Sequence, residues 1–112
     1  MNIKKLNDAF AVAGQIAPSE MQAVADQGYR TVICNRPDNE VGPDTDFAAV
    51  RAAATAAGMA IHYIPIIPGQ AGLPEVQATA DLLKTAQGPV LAFCRSGARS
   101  TAIYEAAQTL PK

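Results

Sequence analysis

The fold is decided by one stretch near the end of the chain, Pro89-Val90-Leu91-Ala92-Phe93-Cys94-Arg95-Ser96-Gly97-Ala98-Arg99-Ser100-Thr101. Its apolar, β-prone first part ends at Cys94, and a short loop with two arginines, a glycine and two hydroxyls follows. Residues 101–110 then predict a helix, whose apolar face is formed by Ile103, Ala106, Ala107 and Leu110. The stretch therefore predicts a strand, a tight loop and a helix, with a thiol at the end of the strand.

This loop predicts an activated cysteine. Backbone N–H groups at the start of a helix converge on one point, where the helix dipole adds partial positive charge. A cysteine beside that point, with Arg95 and Arg99 nearby, is favoured as its thiolate, and the same amides can hold an anionic substrate. A single strand-end cysteine is more often a small buried hydrophobe. That interpretation explains neither arginine nor the glycine at the turn, so we predict that Cys94 is a nucleophile.

The composition is that of an ordinary globular domain. The chain has 112 residues, of which 49% are hydrophobic and 17% charged, and its formal net charge is −1. This length suffices for one domain, and the charge gives no basic field for nucleic acid. No apolar run reaches the length of a membrane span. Two cysteines make no disulfide framework, and Asp8 within a short apolar N-terminus argues against a signal peptide, so we expect a cytoplasmic location.

Strands and helices alternate along the chain through short loops. Turn residues and apolar periodicity predict strands at 10–16, 29–34, 59–67 and from residue 90. They predict helices from Pro18, with a Ser19–Gln22 capping box, at residues 44–57, and from Pro74 through Leu83 to an end at Gly88. This alternation predicts a single α/β domain, with a mostly parallel sheet of four to five strands flanked by helices.

Three loops fall at the carboxyl ends of predicted strands, where ligands bind in sheets of this kind. They begin at Asn35, at Pro68 and at Cys94, so we expect them to share one pocket. One histidine and two distant cysteines are too few ligands for a metal site, and no nucleotide-binding glycine pattern occurs. The sequence therefore predicts neither a metal nor a cofactor.

Three segments resemble a known family, and they occur in the same order as in that family. They are YRTVICNRPDNE at residues 29–40, HYIPIIPGQ at 62–70 and FCRSGARS at 93–100. They look like the phosphatase-like domain of the beta-lactamase hydrolase-like proteins, and the likeness covers nearly the whole chain. The resemblance implies a fold similar to the dual-specificity tyrosine phosphatases. It implies either phosphatase or sulfur-transfer activity, and, because some members are fused to one, a persulfide dioxygenase-like partner.

The loop length favours sulfur transfer. The tyrosine-phosphatase signature has five residues between cysteine and arginine, whereas Arg99 comes one residue early and Ser100 occupies the arginine position. Phe93 stands where that signature has histidine. The segment CRSGARS instead matches the loop of rhodanese-type sulfurtransferases. A shorter loop offers fewer amides to a tetrahedral phosphate, while the terminal sulfur of a persulfide is smaller.

The loop after the third strand favours the same conclusion. Related phosphatases carry there an aspartic acid that protonates the leaving group. Here residues 68–74 contain no carboxylate, and the first one is Glu75. Transfer of a sulfane sulfur needs no such acid when the leaving group is sulfite or a low-pKa thiolate. We therefore predict a thiol-dependent sulfurtransferase.

In that mechanism Cys94 attacks thiosulfate or a persulfide and becomes a persulfide, which a thiol such as glutathione then accepts. Arg99 acts as a bidentate clamp, and Ser100 hydrogen-bonds the sulfur and tunes its pKa. The residues predicted to bind the anion are Arg95, Ser96, Gly97, Ala98 and Arg36. Two alternatives remain open: a phosphatase that forms a Cys94 phosphoenzyme from a phosphate ester, and a non-catalytic anion-binding module.

Other polar residues have weaker signals. Cys34 could resolve an oxidised or persulfidated Cys94, but a buried strand-end thiol is the commoner case. His62 lies in mid-strand and is predicted to be structural. Arg36 and Asp38 are expected at the rim of the pocket, where a charge pair is usually solvated, and Glu40 is expected to be structural. Gln70 is a candidate substrate contact from its loop position.

Overall fold

The computed structural model describes residues 1–40 and 46–110, and five strands form its single sheet. The strands lie in the spatial order β1-β2-β5-β3-β4; β1 is antiparallel to β2, and the other pairs are parallel. Their bounds are β1, Ile3–Lys5; β2, Phe10–Ala13; β3, Thr31–Cys34; β4, Ala60–Tyr63; and β5, Val90–Phe93. The strand that ends at the predicted nucleophile is thus the centre of the sheet.

Four helices cover the two faces of this sheet. They are α1, Met21–Asp26; α2, Phe47–Ala56; α3, Leu73–Thr85; and α4, Ala98–Gln108. Side chains of α1 and α2, such as Val24 and Val50, pack with Leu91 and Phe93 on one face. Side chains of α3 and α4, such as Leu82 and Tyr104, pack against Ala92 and its neighbours on the other. Successive residues of a strand point to opposite faces, so β2 and β5 are apolar throughout, and β3 is apolar except for Thr31.

This arrangement confirms the predicted α/β domain with a mostly parallel sheet. All four residues of β3 and all four of β5 are buried, as expected for strands covered on both sides. Residues 31–34 of β3 pair one to one with residues 90–93 of β5. The segments that follow these two strands are therefore neighbours at the carboxyl edge of the sheet. Among the described helices, none has both the length and the apolar character that a membrane span requires.

Several predicted boundaries differ from the structure. Strand β1 was not predicted, because its two lysines hide the pattern of an edge strand that is mostly exposed. The strand predicted to reach residue 16 ends at Ala13, where Gly14 begins the turn. The strands predicted at 29–34 and 59–67 are shorter, at residues 31–34 and 60–63. The predicted start of α2 at residue 44 lies outside the described residues.

Two helix starts also differ. The predicted Ser19–Gln22 capping box is wrong: the Glu20 carboxylate accepts the Ala17 N–H at 2.8 Å and supplies that cap. Helix α4 begins at Ala98, three residues before the predicted position, because Gly97 turns the chain directly into the helix with φ of +92°. The active loop, residues 94–100, therefore runs directly into the first turn of α4, and the amides of residues 98–100 are helix N-terminal amides.

Candidate active site

Two glycines allow the loop after β5 to lie against the end of β2. A Cβ on Gly97 would stand 3.4 Å from the backbone carbonyl of Ala13, and one on Gly14 would stand 3.2 Å from the Arg95 oxygen. Gly97 also has a positive φ, which side chains disfavour. The Gln15 N–H donates to the same Arg95 oxygen at 3.2 Å. These close approaches hold the loop in a fixed curve around Cys94.

The Cys94 sulfur lies inside this curve. The Gly97 N–H donates to it at 3.0 Å, and the residue has a relative exposure of 0%. Burial raises the pKa of Cys94, but the backbone N–H groups of Ser100, Ser96 and Gly97 and the Ser100 hydroxyl outweigh burial. The net result is a pKa below the ordinary value of 9.0. Hydrogen-bond donors directed at the sulfur thus favour the nucleophilic thiolate.

Arg99 is held beside the sulfur by Glu40. Its two terminal nitrogens donate to the Glu40 carboxylate at 2.9 and 2.7 Å, and one also donates to the Ile66 carbonyl oxygen at 2.6 Å. The hydrogen bonds with Glu40 raise the pKa of Arg99, as does its contact with Cys94. An arginine has five N–H groups, so these three bonds leave two for the sulfur and for an anion above it. Arg99 is therefore a fixed cation at the mouth of the loop.

A buried side-chain pair lies behind the sulfur. The Ser100 hydroxyl donates to the Asn35 side-chain oxygen at 2.8 Å, and the Asn35 side-chain nitrogen donates to the Ile64 carbonyl at 2.9 Å. Both residues have a relative exposure of 0%. The Asn35 backbone is also fixed, because its N–H donates to the Phe93 oxygen at 2.8 Å. Asn35 thus connects the end of β3 to the active loop.

The structure gives Arg36 a different place from the expected rim. Its side chain is completely buried, its guanidinium donates to the Pro37 carbonyl at 3.0 Å, and it lies 3.9 Å from the Asp46 carboxylate. Asp38 is exposed, but its carboxylate accepts the Phe47 N–H at 2.7 Å at the start of α2. The expected rim position is therefore wrong for Arg36, whereas Asp38 is exposed as expected and borders a cavity. An anion-binding role for Arg36 stays a prediction.

The exposed residues of the loop face outward. Arg95, Ser96 and Ala98 are exposed, and they border a cavity of about 730 Å³ that Lys4 and Gln15 also line. The Ala98 N–H is 3.4 Å from the Ser96 hydroxyl oxygen. The Arg95 side chain therefore lies on the β2 side of the loop, whereas Arg99 lies on the β3 side with Glu40. The roles of Arg95, Ser96, Gly97 and Ala98 in binding an anion stay predictions.

The carboxylates near the loop after β4 already accept backbone hydrogen bonds. Asp38, Tyr63, Gln70 and Glu75 line a second cavity of about 410 Å³. The Glu75 carboxylate accepts the Gly72 N–H at 3.0 Å and caps α3. Gln70 is exposed at the edge of this cavity, which is the loop position from which a substrate contact was predicted. Within the described residues, Asp38 and Glu75 are the carboxylates that border it, and both act as helix caps.

Cys34 and His62 lie apart from this chemistry. The Cys34 side chain belongs to the core on the α1–α2 face, and its thiol donates to the Arg36 carbonyl at 3.4 Å. Burial raises the pKa of Cys34 to about 11. The expectation of a buried strand-end thiol is confirmed. His62 is exposed on β4 and pairs in register with Ile33. Within residues 1–40 and 46–110, no group of three or more histidine, cysteine, aspartate or glutamate side chains could hold a metal.

Two residues of the site were underestimated from the sequence. Glu40 was expected to be merely structural, yet it holds Arg99 through two hydrogen bonds across 59 residues of sequence. Asn35 was assigned only to a shared pocket, yet it contacts Ser100 across 65 residues. Their position in the sequence was the indication of this role, because both residues follow β3, the strand beside the nucleophile. Pairing over such sequence distances depends on strand order, which the local pattern does not specify.

Comparisons with known proteins agree with this architecture. Residues 2–111 match the family model of the beta-lactamase hydrolase-like protein, phosphatase-like domain. The chain is 33% identical over 110 residues to a beta-lactamase hydrolase-like protein of Xylella fastidiosa and 28% identical to one of Agrobacterium fabrum. Each alignment covers 98% of this chain and 26% of the relative. The chain thus spans about a quarter of the length of the curated relatives it matches.

Solved structures give the same result for the fold. A candidate phosphatase from Neisseria meningitidis superposes with a TM-score of 0.86 at 31% identity, covering 99% of this chain and 81% of that one. TpbA of P. aeruginosa, in complex with pTyr, superposes with a TM-score of 0.66 at 17% identity, covering 96% and 72%; this likeness concerns the fold alone. The fold is tyrosine-phosphatase-like, and the chain belongs to the phosphatase-like domain family of the beta-lactamase hydrolase-like proteins.

Proposed function

We propose that this domain is a cysteine-dependent phosphatase in which Cys94 forms a covalent phosphoenzyme. One observation carries the proposal: the Cys94 sulfur, with a lowered pKa, lies at the N-terminus of α4 and accepts the Gly97 N–H at 3.0 Å. Membership of a phosphatase-like family and the likeness to a candidate phosphatase at 31% identity support it. They favour phosphoryl transfer over the sulfur transfer that the loop length predicted.

The substrate in this proposal is a phosphate monoester whose phosphoryl group lies over the sulfur. Backbone N–H groups of residues 96–100 hydrogen-bond its non-bridging oxygens, and the α4 dipole favours its negative charge. Arg99 supplies a cation whose position is fixed by Glu40 and the Ile66 carbonyl. Such preorganised donors stabilise the charge that develops on the phosphoryl oxygens during transfer.

The reaction proceeds in two displacements. The Cys94 thiolate attacks phosphorus, an S–P bond forms, and the P–O ester bond breaks with departure of an alkoxide or phenoxide that takes a proton from solvent. Water then attacks the phosphorus of the phosphoenzyme, the S–P bond breaks, and inorganic phosphate and the thiolate are released. No external oxidant or reductant takes part.

The leaving group determines how well this scheme works. Asp38 and Glu75 both accept a backbone N–H at a helix start, and residues 68–74 contain no carboxylate. Protonation by a positioned acid contributes on the order of 10²- to 10⁴-fold to such reactions. We therefore expect aryl phosphates, whose leaving groups need little help, to be hydrolysed much faster than alkyl phosphates.

Sulfur transfer is the second candidate, and one observation favours it. Four residues separate Cys94 from Arg99, which matches the rhodanese-type loop and is one fewer than in the tyrosine-phosphatase signature. In this scheme the Cys94 thiolate takes the outer sulfur of thiosulfate or of a persulfide, with release of sulfite or of a thiolate, and a thiol such as glutathione then accepts that sulfur and becomes a persulfide. A persulfide dioxygenase-like protein would be the partner that uses this persulfide. Both cysteines are free, which suits the reducing cytoplasm that either reaction would use.

The test compares both reactions in one protein preparation. Phosphate release from an aryl phosphate is measured together with intact-protein mass after rapid acid quench. A second aliquot is incubated with thiosulfate or glutathione persulfide, and its intact-protein mass is measured in the same way. Cys94→Ser is the inactive control, and Cys34→Ala is the matched control for loss of the other thiol.

The proposal expects phosphate release and a mass gain of one phosphoryl group, both lost in Cys94→Ser and both retained in Cys34→Ala. Loss of activity in Cys94→Ser should be about 10³-fold or more, as for other covalent nucleophiles. A one-sulfur gain on Cys94 that dithiothreitol removes, without phosphate release, would overturn the proposal in favour of sulfur transfer. Neither adduct would indicate a non-catalytic anion-binding module.

A further inference from the structure

The Ser100 hydroxyl stands between two groups that both attract its proton. Its oxygen lies 2.8 Å from the Asn35 side-chain oxygen, to which it donates. The same hydroxyl is within reach of the Cys94 sulfur, and donation to that sulfur acts to lower the pKa of the thiol. A hydroxyl carries one proton, so it cannot donate to both acceptors at once.

The orientation of the Asn35 amide is fixed by its other contact. Its nitrogen donates to the Ile64 carbonyl oxygen at 2.9 Å, so its oxygen must face Ser100. Rotating the amide by half a turn would place two oxygens against each other at Ile64. The backbone N–H and C=O of Asn35 are also bonded, to the Phe93 oxygen at 2.8 Å and the Ile66 N–H at 2.9 Å. Asn35 is therefore a permanent acceptor aimed at the Ser100 hydroxyl.

We propose that Asn35 is a positioning residue whose side-chain oxygen competes with the Cys94 sulfur for the single proton of the Ser100 hydroxyl. When Cys94 is a neutral thiol, its S–H donates to the Ser100 oxygen and Ser100 donates to Asn35, so every member of the chain is satisfied. When Cys94 is a thiolate, the Ser100 proton turns toward sulfur and the buried Asn35 oxygen loses its partner. Leaving a buried oxygen unsatisfied costs free energy, and this cost disfavours the thiolate form of Cys94.

This competition limits how far the loop amides lower the Cys94 pKa. Such a limit is useful to a nucleophile, because a thiolate that is stabilised too strongly attacks poorly and its pKa should lie near the working pH. The inference rests on the proposed function only in using Cys94 as the reactive thiol. It concerns the free enzyme and needs no substrate.

Other charged and titratable groups around the thiol stay constant in the test. They are Arg99 on α4, its partner Glu40 in the segment after β3, and Cys34 and Arg36 at the end of β3. The Asn35 amide oxygen accepts from Ser100, and the Asn35 amide nitrogen donates to the Ile64 carbonyl. Ser100 is also a neighbour of Cys94, so we expect a change at position 35 to act on Cys94 through Ser100, and the Ser100→Ala background tests that route.

The test measures the Cys94 pKa from the pH dependence of its alkylation by iodoacetamide, followed by intact mass in a Cys34→Ala background. Asn35→Ala removes the competing acceptor, so the Cys94 pKa should fall by about one unit, the size of one hydrogen bond to a charged group. Ser100→Ala removes the proton for which they compete, so the pKa should rise. In the Ser100→Ala background, Asn35→Ala should leave the Cys94 pKa unchanged.

Two further variants keep the test decisive. Asn35→Leu preserves the side-chain volume and should lower the pKa like Asn35→Ala, which allows the test if the alanine variant does not fold. Thr31→Val removes a part-buried hydrogen bond at the other end of β3, from the Thr31 hydroxyl to the Gln87 carbonyl at 2.7 Å. It should reduce stability and leave the Cys94 pKa unchanged.

A Cys94 pKa that rises or stays constant in the position-35 variants would overturn the inference. So would a fall of equal size in the Ser100→Ala background, because the effect would then not pass through the hydroxyl. These outcomes are independent of catalysis: a protein that lacks phosphatase activity can still show the shift, and an active phosphatase can lack it.

Discussion

Cys34 and Cys94 occupy nearly equivalent places and have opposite chemistry. Cys34 is the last residue of β3, Cys94 directly follows the neighbouring parallel strand β5, and both have a relative exposure of 0%. The pKa of Cys34 is raised from 9.0 to about 11, while the pKa of Cys94 is lowered from the same value. Burial is common to both, so burial does not determine which thiol is reactive.

The difference lies in which groups face each sulfur. Cys34 points to the α1–α2 face, among apolar side chains, and its thiol donates to a carbonyl oxygen. Cys94 continues the alternation of β5 toward the opposite face, where the chain turns at once into α4 and presents N–H groups. At Cys34 burial outweighs the contact with the Arg36 backbone and raises the pKa, whereas at Cys94 several N–H donors stabilise the thiolate and outweigh burial. The loop sequence after the strand therefore matters more than the strand itself.

The largest effect in this comparison should come from replacing Arg99, the arginine that Glu40 holds beside Cys94. Arg99→Lys keeps the charge but loses the planar fork that binds Glu40 and the Ile66 carbonyl together. We expect kcat/KM for an aryl phosphate to fall by about 10²-fold, the usual cost of losing a preorganised donor at developing charge. Glu40→Gln should cost less, about tenfold, because Arg99 keeps its bond to Ile66.

Steady-state kinetics on both variants would check this ranking. Arg51→Lys is the matched control, since Arg51 is an exposed arginine on α2, and its kinetics should equal those of the wild type. Activity of Arg99→Lys within a few-fold of the wild type would contradict the assignment of Arg99 as the clamp. The comparison between the two thiols would then rest on the loop amides alone.

The sequence predicted the half of the site that is local in the chain. Residues 94–100 form one continuous loop, so their residue types and spacing indicated a nucleophile, amides and Arg99 without knowledge of the fold. The two residues that hold this loop from outside, Glu40 and Asn35, follow a different strand. Their role depends on β3 lying beside β5, although β4 and α3 come between them in sequence. Alternating strands and helices predict a parallel sheet, but several strand orders satisfy that pattern.

The loop sequence and the family point to different reactions, sulfur transfer and phosphoryl transfer. A loop one residue short and the absence of a carboxylate at 68–74 indicated sulfur transfer, whereas the family and its solved relative favour a phosphatase. Loop length counts amides, but it does not show where they point. In the structure, the N–H groups of residues 96, 97 and 100 all act on one sulfur. That convergence is a property of the fold, and it suits an anion of either kind.

The raised pKa of Cys34 should also make the stability of the folded protein depend on pH above 9. The pKa of Cys34 is 9.0 when exposed in the unfolded chain and about 11 in the folded chain. Between these values the unfolded chain has released the proton and the folded chain keeps it, so stability falls as pH rises. Wild-type protein should lose on the order of 2 kcal/mol through this group, and Cys34→Ala should not.

Urea denaturation below pH 9.0 and near pH 11 would measure this loss. Burial also raises the pKa of Tyr29 and Tyr63, which contributes a fall of the same sign to both proteins. The Tyr29 part cancels in their difference, whereas the interaction of Tyr63 with Cys34 belongs to the wild type alone and adds to its fall. Cys34→Ala should be less stable than the wild type at neutral pH, where the methyl side chain fills the site poorly, and should approach it at high pH. A constant difference between the two proteins would contradict the raised pKa.

The smallest effect is the most direct comparison of the two thiols in one molecule. Near neutral pH, the thiolate fraction of Cys94 should exceed that of Cys34 by about 10²-fold or more, given the direction of the one shift and the size of the other. A thiolate of lower pKa is also intrinsically less nucleophilic, which offsets about half of that factor on a logarithmic scale. We therefore expect iodoacetamide to modify Cys94 about tenfold faster than Cys34, measured by peptide mass mapping.

Adding inorganic phosphate to the same alkylation experiment tests whether the loop amides bind an anion. An anion held by the amides of residues 96–100 lies over the Cys94 sulfur, so phosphate should slow alkylation of Cys94 and leave Cys34 unchanged. Equal slowing of both thiols would indicate a general stabilisation of the fold instead, because opening motions expose both. Equal alkylation rates without phosphate would mean that burial outweighs the loop donors at Cys94 as it does at Cys34, and that the loop does not activate its nucleophile.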